Sequence, residues 1–469
     1  MTTPIIQRPV TRAGGFLAAA AMPATVAAAF TGLSGATALA AAASLAAIAC
    51  FSIGAAKARL VFVLIGLVQV LMAVAARSDG LQAVGTALGR GGFVISLFTA
   101  LAAIRAAASG SAEIIACGRF LARQPPGRRY AALTAGGHMF GLILMYGSIS
   151  LLGSLAAETT SGLRDPELRS LRLRRMLIAI QRGFAATLCW SPLAFSMVIA
   201  TSLVPGATWS EAVLPCLFSS FLMLAVGWGL DSIFKPKLAL PPPARTAEGD
   251  GWLIQLRPLL LLLGVVVICV VAIHAATGVS VVPCVMLVVP AVATVWIARQ
   301  LQAEGQRVLD GTAARIRDFA LEELPRFRSE ILLLFMAAFI GHMGAYLLVP
   351  LVEQSGLDLA QLPPPVILSA VVWLIPLAGQ IGMNPILAAS LFVPLLPAPA
   401  ALGIDPAAMI VAITGGWAIS GTTSPFTASV LLVGSLSGQS ARRVGLYWNG
   451  VYALAMGLLL AGWSMIVAG

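Results

Sequence analysis

Apolar stretches separated by short polar loops run along almost the whole chain of 469 residues. Each stretch has at least the roughly 17 residues that a helix needs to cross the hydrocarbon core of a bilayer. We predict membrane crossings near 14–31, 34–54, 60–76, 91–107, 176–204, 208–229, 256–275, 281–298, 329–352, 407–436 and 443–467. The pattern predicts an all-α polytopic membrane protein with about eleven transmembrane helices.

The polar positions between these stretches indicate an orientation. The net charge is +11, and arginines and lysines cluster in several of the short loops. Basic loops stay in the cytoplasm, which predicts a cytoplasmic N-terminus, an external C-terminus and a location in a cell inner membrane. The first apolar stretch is interpreted as a membrane helix rather than a signal peptide, because many more stretches follow. We expect a lipid bilayer as the surrounding partner and no nucleic acid.

Composition supports the same class and argues against an enzyme. Hydrophobic residues make up 59% of the chain and charged residues 10%, whereas a soluble domain carries about 25% charged residues. The six cysteines are scattered without metal-ligand or redox spacing. The sequence contains no HExxH motif, no P-loop and no CxxC motif. We therefore expect no catalytic residues.

Two further apolar segments do not fit as crossings. Residues 131–156 lie between two basic loops, whereas residues 365–397 lie between two loops without lysine or arginine. Both ends of each segment therefore favour the same side of the membrane, as in a re-entrant hairpin. A turn at membrane depth must be buried in protein or line a cavity. The alternative for each segment is an ordinary span beside a misassigned loop.

The chain also contains a repeated sequence at an offset of 233 residues. Residues 176–203 and 409–436 are identical at ten of 28 positions without gaps. The identical pairs include Met176 with Met409, Gly183 with Gly416, Ser191 with Ser424, Pro192 with Pro425 and Ser196 with Ser429. Because a Ser-Pro pair interrupts both copies at the same place, we interpret them as products of a duplication.

The two copies run in opposite directions between basic and uncharged loops, and each follows a hairpin segment. This order predicts an inverted-topology repeat. The predicted domains are a first repeat over 1–230, a proline-rich cytoplasmic linker over 231–255 and a second repeat over 256–469. Each repeat would contain scaffold helices, one hairpin and one broken helix, which is 176–204 or 407–436.

Broken helices expose backbone groups inside the membrane. N–H groups at the start of a half-helix can hold an anion, and C=O groups at the end of one can hold a cation. We predict a substrate site formed by Gly147, Ser148, Thr187, Ser191, Pro192, Asn384, Pro385, Thr422, Thr423, Ser424 and Pro425. A sodium ion would bind oxygens of Gly382, Asn384, Ser420 and Thr423. The alternative is that Ser-Pro only kinks two packed helices.

Titratable residues are scarce in the two hairpins and two broken helices, which contain no Asp, Glu or Lys. Proton-driven carriers commonly use intramembrane carboxylates or histidines, so the sequence favours sodium as the coupling ion. His138 is interpreted as a structural histidine, with a proton carrier as the alternative. Arg182 is expected to snorkel toward the cytoplasm; if it faced a cavity, it would favour an anionic solute.

The order of spans, opposed hairpins and broken helices resembles a known family over nearly the whole chain, and two short motifs match that family modestly. The second hairpin tip, 382–385, reads GMNP, and the second break, 421–425, reads GTTSP. Together with the spans and the opposed hairpins, these motifs resemble the divalent anion/sodium symporters of the ion-transporter superfamily. That family has a Ser-Asn-Thr-like tripeptide at each tip; here the second tip keeps only the asparagine, and the first, within 144–148, has none. The resemblance implies a homodimer in which a transport domain moves against a fixed scaffold.

The sequence therefore predicts a secondary active transporter of a small anionic solute, coupled to a sodium gradient by an elevator-type mechanism. One alternative is the membrane subunit of a carrier that depends on a periplasmic binding protein. Others are a channel, and a non-transporting accessory or lipid-handling membrane protein. An inverted repeat with polar helix breaks favours alternating access over a channel.

Overall fold

The computed structural model describes residues 9–109, 111–234, 252–356 and 359–469, and within these ranges all regular secondary structure is helical. The first ten α-helices are α1 Pro9–Thr31, α2 Ser34–Ser52, α3 Lys57–Ala76, α4 Gly80–Ser109, α5 Ala112–Ala122, α6 Pro126–Leu144, α7 Gly147–Ser161, α8 Pro166–Thr187, α9 Phe195–Leu203 and α10 Trp209–Ile233. The others are α11 Trp252–Thr277, α12 Val281–Ala303, α13 Val308–Asp318, α14 Leu324–Arg326, α15 Arg328–Gln354, α16 Pro364–Gln380, α17 Pro385–Phe392, α18 Pro399–Leu402, α19 Pro406–Thr423, α20 Ala428–Ser437 and α21 Gly450–Ala468. Short π-helices cover Phe319–Glu323 and Arg443–Trp448, and 3₁₀-helices cover Leu359–Gln361 and Val393–Leu395.

Nine helices of the described ranges are long and apolar enough to cross a membrane. They are α1, α2, α3, α4, α10, α11, α12, α15 and α21. The predicted class, an all-α polytopic membrane protein, is confirmed. The two remaining predicted crossings, 176–204 and 407–436, are each divided into two shorter helices. Most of the predicted linker 231–255 lies outside the described residues.

The chain forms two compact units, and neither unit corresponds to one half of the sequence. The first unit combines residues 1–108, 264–357 and 390–395, and the second combines residues 109–263, 358–389 and 396–469. Each unit therefore takes segments from both predicted repeats. The predicted repeat boundaries describe a different division of the chain and stay a prediction.

Small residues allow close helix packing in the first unit. A methyl group added to Gly14 of α1 would lie 2.7 Å from the ring of Phe51 in α2, so the two helices approach closely. Between α1 and α4, the hydroxyls of Thr25 and Ser96 are 2.8 Å apart and share a hydrogen bond. Gln69 of α3 donates to a carbonyl of α15 at 3.2 Å. Polar groups within this unit thus bond across helices instead of facing lipid.

Helices α6 and α8 pack along each other in the second unit, as do α16 and α19. A glycine lies at the point of closest approach in each of these two helix pairs. A methyl group on Gly183 would overlap the carbonyl oxygen of Thr134, and one on Gly416 would lie 2.8 Å from the carbonyl oxygen of Val372. Gly183 and Gly416 are an identical pair of the repeated sequence. The same residue type therefore permits the same close approach in both copies.

Candidate functional site

The predicted first hairpin consists of α6 and α7, joined by Met145 and Tyr146. Met145 has a φ of 51°, a region that residues other than glycine rarely adopt. Ser148 is fully buried, and its hydroxyl donates to the carbonyl oxygen of Met145 at 2.7 Å. Gly147 begins α7 and is half-buried. Both predicted residues are at the tip, and Ser148 stabilises the turn. The position of this hairpin relative to a membrane stays a prediction.

The predicted second hairpin consists of α16 and α17, joined by residues 381–384. Gly382 has a φ of 93°, which suits glycine. Asn384 is half-buried, and its Oδ1 accepts from the backbone N–H of Ile386 at 2.8 Å, which caps α17. Pro385 is buried at the first position of α17, where its missing N–H is not needed. These predicted binding residues therefore also fix the start of a short helix.

The first broken helix is interrupted between α8 and α9. The predicted residues Ser191 and Pro192 lie in the interruption, and Thr187 is the last residue of α8. The N–H of Ser191 donates to the carbonyl oxygen of Thr187 at 3.0 Å, and the N–H of Leu193 donates to Ser191 Oγ at 3.1 Å. These local bonds satisfy part of the backbone that the interruption frees.

The second broken helix is interrupted between α19 and α20, later than the predicted break at 421–425. Thr422 and Thr423 are buried in the last turn of α19. Both hydroxyls donate to the carbonyl oxygen of Ile419, at 2.9 and 2.8 Å. Bonds of this kind to the preceding turn are compatible with a continuing helix, so only Ser424 and Pro425 of the predicted residues lie in the interruption.

A serine bridges each interruption in the same way. Ser196 Oγ donates to the carbonyl oxygen of Leu188, and Ser429 Oγ donates to the carbonyl oxygen of Gly421. Each bond reaches eight residues back, from the second half-helix to the end of the first. Both donors and both acceptors are paired at the 233-residue offset. Corresponding hydrogen bonds at corresponding positions support the predicted duplication.

The first interruption contacts the last turn of α19, where Leu188 meets Gly421. A methyl group on Gly421 would lie 3.2 Å from Leu188 Cδ1. Each hairpin also contacts the interruption of its own repeat. Ser424 Oγ donates to the carbonyl oxygen of Gly379 at 2.6 Å, and Trp190 Nε1 donates to Nε2 of His138, in α6, at 3.2 Å. The predicted residues thus form two clusters, each made by the hairpin and the broken helix of one repeat. The two clusters are in contact at Leu188. The hydrogen bonds found in the described ranges do not join the two hairpin tips.

Three buried side-chain atoms around these elements have no hydrogen-bond partner within the described part of the chain. They are Ser420 Oγ, Gln181 Nε2 and Thr134 Oγ1. Ser420 is fully buried and packs closely against Gly379. A methyl group added at position 379 would lie 2.6 Å from Ser420 Oγ, so no side chain fits there. Burying an unsatisfied polar atom costs free energy, so these atoms mark positions where a ligand could supply a partner. Among them, Ser420 is a predicted sodium ligand.

His138 connects the first hairpin to the first interruption. Its Nε2 is 3.2 Å from Trp190 Nε1, and its Nδ1 is 3.2 Å from the carbonyl oxygen of Gly183. Because the indole N–H can only donate, Nε2 accepts and the Nδ1 proton faces the carbonyl. Both ring nitrogens of a neutral imidazole are therefore satisfied. This geometry supports the structural interpretation of His138.

The prediction that Arg182 snorkels to the cytoplasm is wrong, because only 5% of its surface is exposed. The guanidinium donates to Asn449 Oδ1 at 3.1 Å and to the hydroxyl of Tyr130 at 3.3 Å. It also donates to the carbonyl oxygens of Gly227 at 3.4 Å and Trp448 at 3.5 Å. Arg182 does not extend toward water because buried oxygens accept the hydrogen bonds of its guanidinium group.

Sequence reasoning did not identify Asn449 as part of the site. Asn449 is fully buried, and its amide group donates to Gln181 Oε1 at 3.0 Å and to the carbonyl oxygen of Thr422 at 3.2 Å. The available signal in the sequence was an isolated asparagine inside the predicted crossing 443–467. Its partners on α8 and α19 are distant in sequence, so the sequence does not indicate that they meet.

The chemistry that these residues offer is that of neutral oxygens and one cation. No group of three or more His, Cys, Asp or Glu residues able to hold a metal ion occurs in the described ranges. A groove of about 410 Å³ on the second unit is lined by residues of α16 and α21, namely Pro365, Val366, Ser369, Ala370, Trp373 and Met465. It includes none of the predicted site residues.

Comparison with solved structures identifies similar folds. The chain matches the YdaH transporter of Alcanivorax borkumensis with a TM-score of 0.54 and 16% identity, covering 86% of this chain and 98% of that one. It matches MtrF of Neisseria gonorrhoeae, described within a class of antimetabolite efflux pumps, with a TM-score of 0.55 and 16% identity, covering 88% and 96%. No protein-family model matches the chain, and no curated protein matches it.

At this level of identity the likeness shows a shared fold, and the fold is one that membrane transporters use. Neither protein is described as a divalent anion/sodium symporter. The finer resemblance stays a prediction.

Proposed function

We propose that the chain is a secondary active transporter of a small anionic solute. The observation that carries the proposal is the pair of related helices, both interrupted in one compact unit and in contact at Leu188 and Gly421. Helix interruptions at membrane depth are costly unless they line a cavity or are buried in protein, and in transporters they form ion and solute sites. The fold shared with YdaH and MtrF supports the same class.

An anionic solute is proposed because the charges near the interruptions are positive. The segments 131–156, 176–204, 365–397 and 407–436 contain no Asp or Glu, whereas Arg182 is buried on α8. The half-helices α9 and α20 also begin next to the interruptions, and the N-terminus of a helix favours negative charge. A small organic or inorganic anion fits this distribution better than a cation does.

Sodium is proposed as the coupling ion, with Ser420 as its central ligand. The Ser420 hydroxyl is buried without a partner among the described residues. It lies beside Gly379 of the second hairpin, and the neutral oxygens at the end of α19 follow it in the chain. Hard cations take such oxygen ligands. Gly382, Asn384 and Thr423 would contribute the remaining oxygens of this proposed site.

The proposed transport cycle is of the elevator type in a homodimer. The second unit, which contains the first hairpin, residues 358–389 of the second hairpin and both interruptions, would carry the solute, and the other unit would provide the scaffold. The contiguous packing of α6 on α8 and of α16 on α19 supports a transport unit that moves as one body.

A thermal-shift screen of small anions, with sodium chloride or choline chloride, tests whether this site binds ligands. A ligand that binds the folded state raises the apparent Tm by mass action. The proposal predicts that at least one anion raises Tm, and that sodium increases the shift. If no small anion raises Tm in either salt, the proposal of an anion carrier fails.

A further inference from the structure

Arg182 lies in a cage of neutral oxygens. Its ligands are Asn449 Oδ1, the Tyr130 hydroxyl and two backbone carbonyl oxygens, at 3.1 to 3.5 Å from the guanidinium nitrogens. The face of the Tyr452 ring covers the guanidinium carbon at 4.2 Å from the ring centroid. Carbonyl, amide and hydroxyl oxygens with an aromatic face are the groups that proteins use to hold a cation.

The positive charge in this cage has no carboxylate partner within the described ranges. Arg175, two turns earlier on the same helix, pairs with Asp231 at 2.7 Å. By contrast, the ion pairs of the described residues do not include Arg182. Buried charges are ordinarily paired with an opposite charge or held by hydrogen bonds. Arg182 is held by dipoles alone, as a bound cation would be.

Asn449 connects this charge to the second interruption. Its Oδ1 accepts from Arg182, and its Nδ2 donates to the carbonyl oxygen of Thr422 at 3.2 Å. Thr422 is in the last turn of α19, where carbonyl groups lack partners within the helix and carry the negative end of the helix dipole. Nδ2 also lies 3.3 Å from the carbonyl oxygen of Val444, in the π-helix that follows α20. One side chain thus links the cation to two backbone carbonyl groups.

We propose that Arg182 is a built-in cation that occupies a cation site and stabilises the carbonyl end of α19 through Asn449. A dissolved ion is not needed at this end of the interrupted helix, because the chain supplies the charge. The ligands differ from those proposed for sodium around Ser420. The consequence for transport rests on the proposed function, whereas the occupancy of the cage by a cation can be tested without transport.

Arg182→Met tests this inference, because methionine keeps an aliphatic chain and removes the charge. The purified variant is melted in choline chloride and then in sodium, potassium or guanidinium chloride at low, equal ionic strength. We expect a lower Tm than wild type in choline, and a rise of about 5 °C when a small cation fills the vacated cage at saturating concentration. Wild type and Arg169→Met, in which an exposed arginine of the same helix is lost, should show no such difference between salts.

Equal melting of Arg182→Met in choline and in all three small cations would overturn the proposal. If Arg182→Met does not fold, Arg182→Lys decides, because it keeps a cation on a shorter chain. We then expect Arg182→Lys to fold and to melt independently of added cation; failure of both variants would contradict a role for the charge itself. The anion screen uses wild-type protein and is a separate experiment. If no anion raises Tm in that screen, the anion-carrier proposal fails, but the salt dependence of Arg182→Met still tests the cation cage.

Discussion

Ser196 and Ser429 occupy equivalent positions in the two interrupted helices, and each hydroxyl bonds to a carbonyl oxygen eight residues earlier. Both serines are fully buried. A helix end that is freed inside the protein needs such partners, because no water is present to replace them. The pair therefore stabilises two irregular segments that carry the proposed site.

Ser196→Ala and Ser429→Ala should each lower the free energy of unfolding by about 1–3 kcal/mol, because a buried carbonyl oxygen loses its donor. Chemical unfolding in detergent measures this change. Ser435→Ala is the matched control, since its hydroxyl is exposed on α20. A loss confined to one of the two buried serines would contradict their equivalence.

Met145→Gly should raise the free energy of unfolding by about 1 kcal/mol, because glycine adopts a positive φ without the strain that Met145 carries at 51°. Gly382→Ala should have the opposite effect of similar size at the second tip, where φ is 93°. Thermal unfolding of both variants measures the signs. If both substitutions change stability in the same direction, the backbone explanation is wrong.

Gly183→Ala should destabilise the second unit by about 1–3 kcal/mol, because the added methyl would overlap a backbone oxygen of α6. Gly416→Ala, at 2.8 Å from a backbone oxygen of α16, should cost free energy in the same range. Gly462→Ala in α21 is the control: nothing lies within 4 Å of its added methyl, and alanine favours a helix by up to about 1 kcal/mol. Equal stability of all three variants would refute close packing at the two crossings.

Ser420→Ala should leave Tm in choline unchanged or slightly raised, because this hydroxyl has no partner within the described residues. The same variant should lose the additional shift that sodium gives to anion binding. Asn384→Ala should also lose it, and should in addition cost about 1 kcal/mol, since Asn384 caps α17. A full sodium effect in Ser420→Ala would remove Ser420 from the proposed sodium site.

The interruptions and turns could be predicted from sequence because their signals are local. Ser-Pro pairs limit the backbone wherever they occur, and they predicted both breaks. The charges of the flanking loops predicted both hairpins. The exact end of α19 could not be predicted in this way. Thr422 and Thr423 remain helical because their hydroxyls bond to the preceding turn, and a run of Gly-Thr-Thr-Ser-Pro does not distinguish that from an earlier break.

Long-range partners were not predictable from the sequence pattern. Arg182 and Asn449 are 267 positions apart, and nothing in either local sequence indicates that they meet. Snorkelling was expected because Arg182 lies two turns from a basic loop, but four buried oxygens make that position favourable for the charge. The two compact units also combine segments from both halves, an arrangement set by packing and not by chain order.

The most direct test of the proposed carrier is the initial rate of uptake of radiolabelled small anions, including any that raise Tm, into proteoliposomes with an inward sodium gradient. We predict saturable uptake of at least one anion that falls when the sodium gradient is removed and that is lost in Ser420→Ala but kept in Ser435→Ala. Absence of protein-dependent uptake for every anion tested, or a voltage-driven flux that does not saturate, would contradict a secondary transporter.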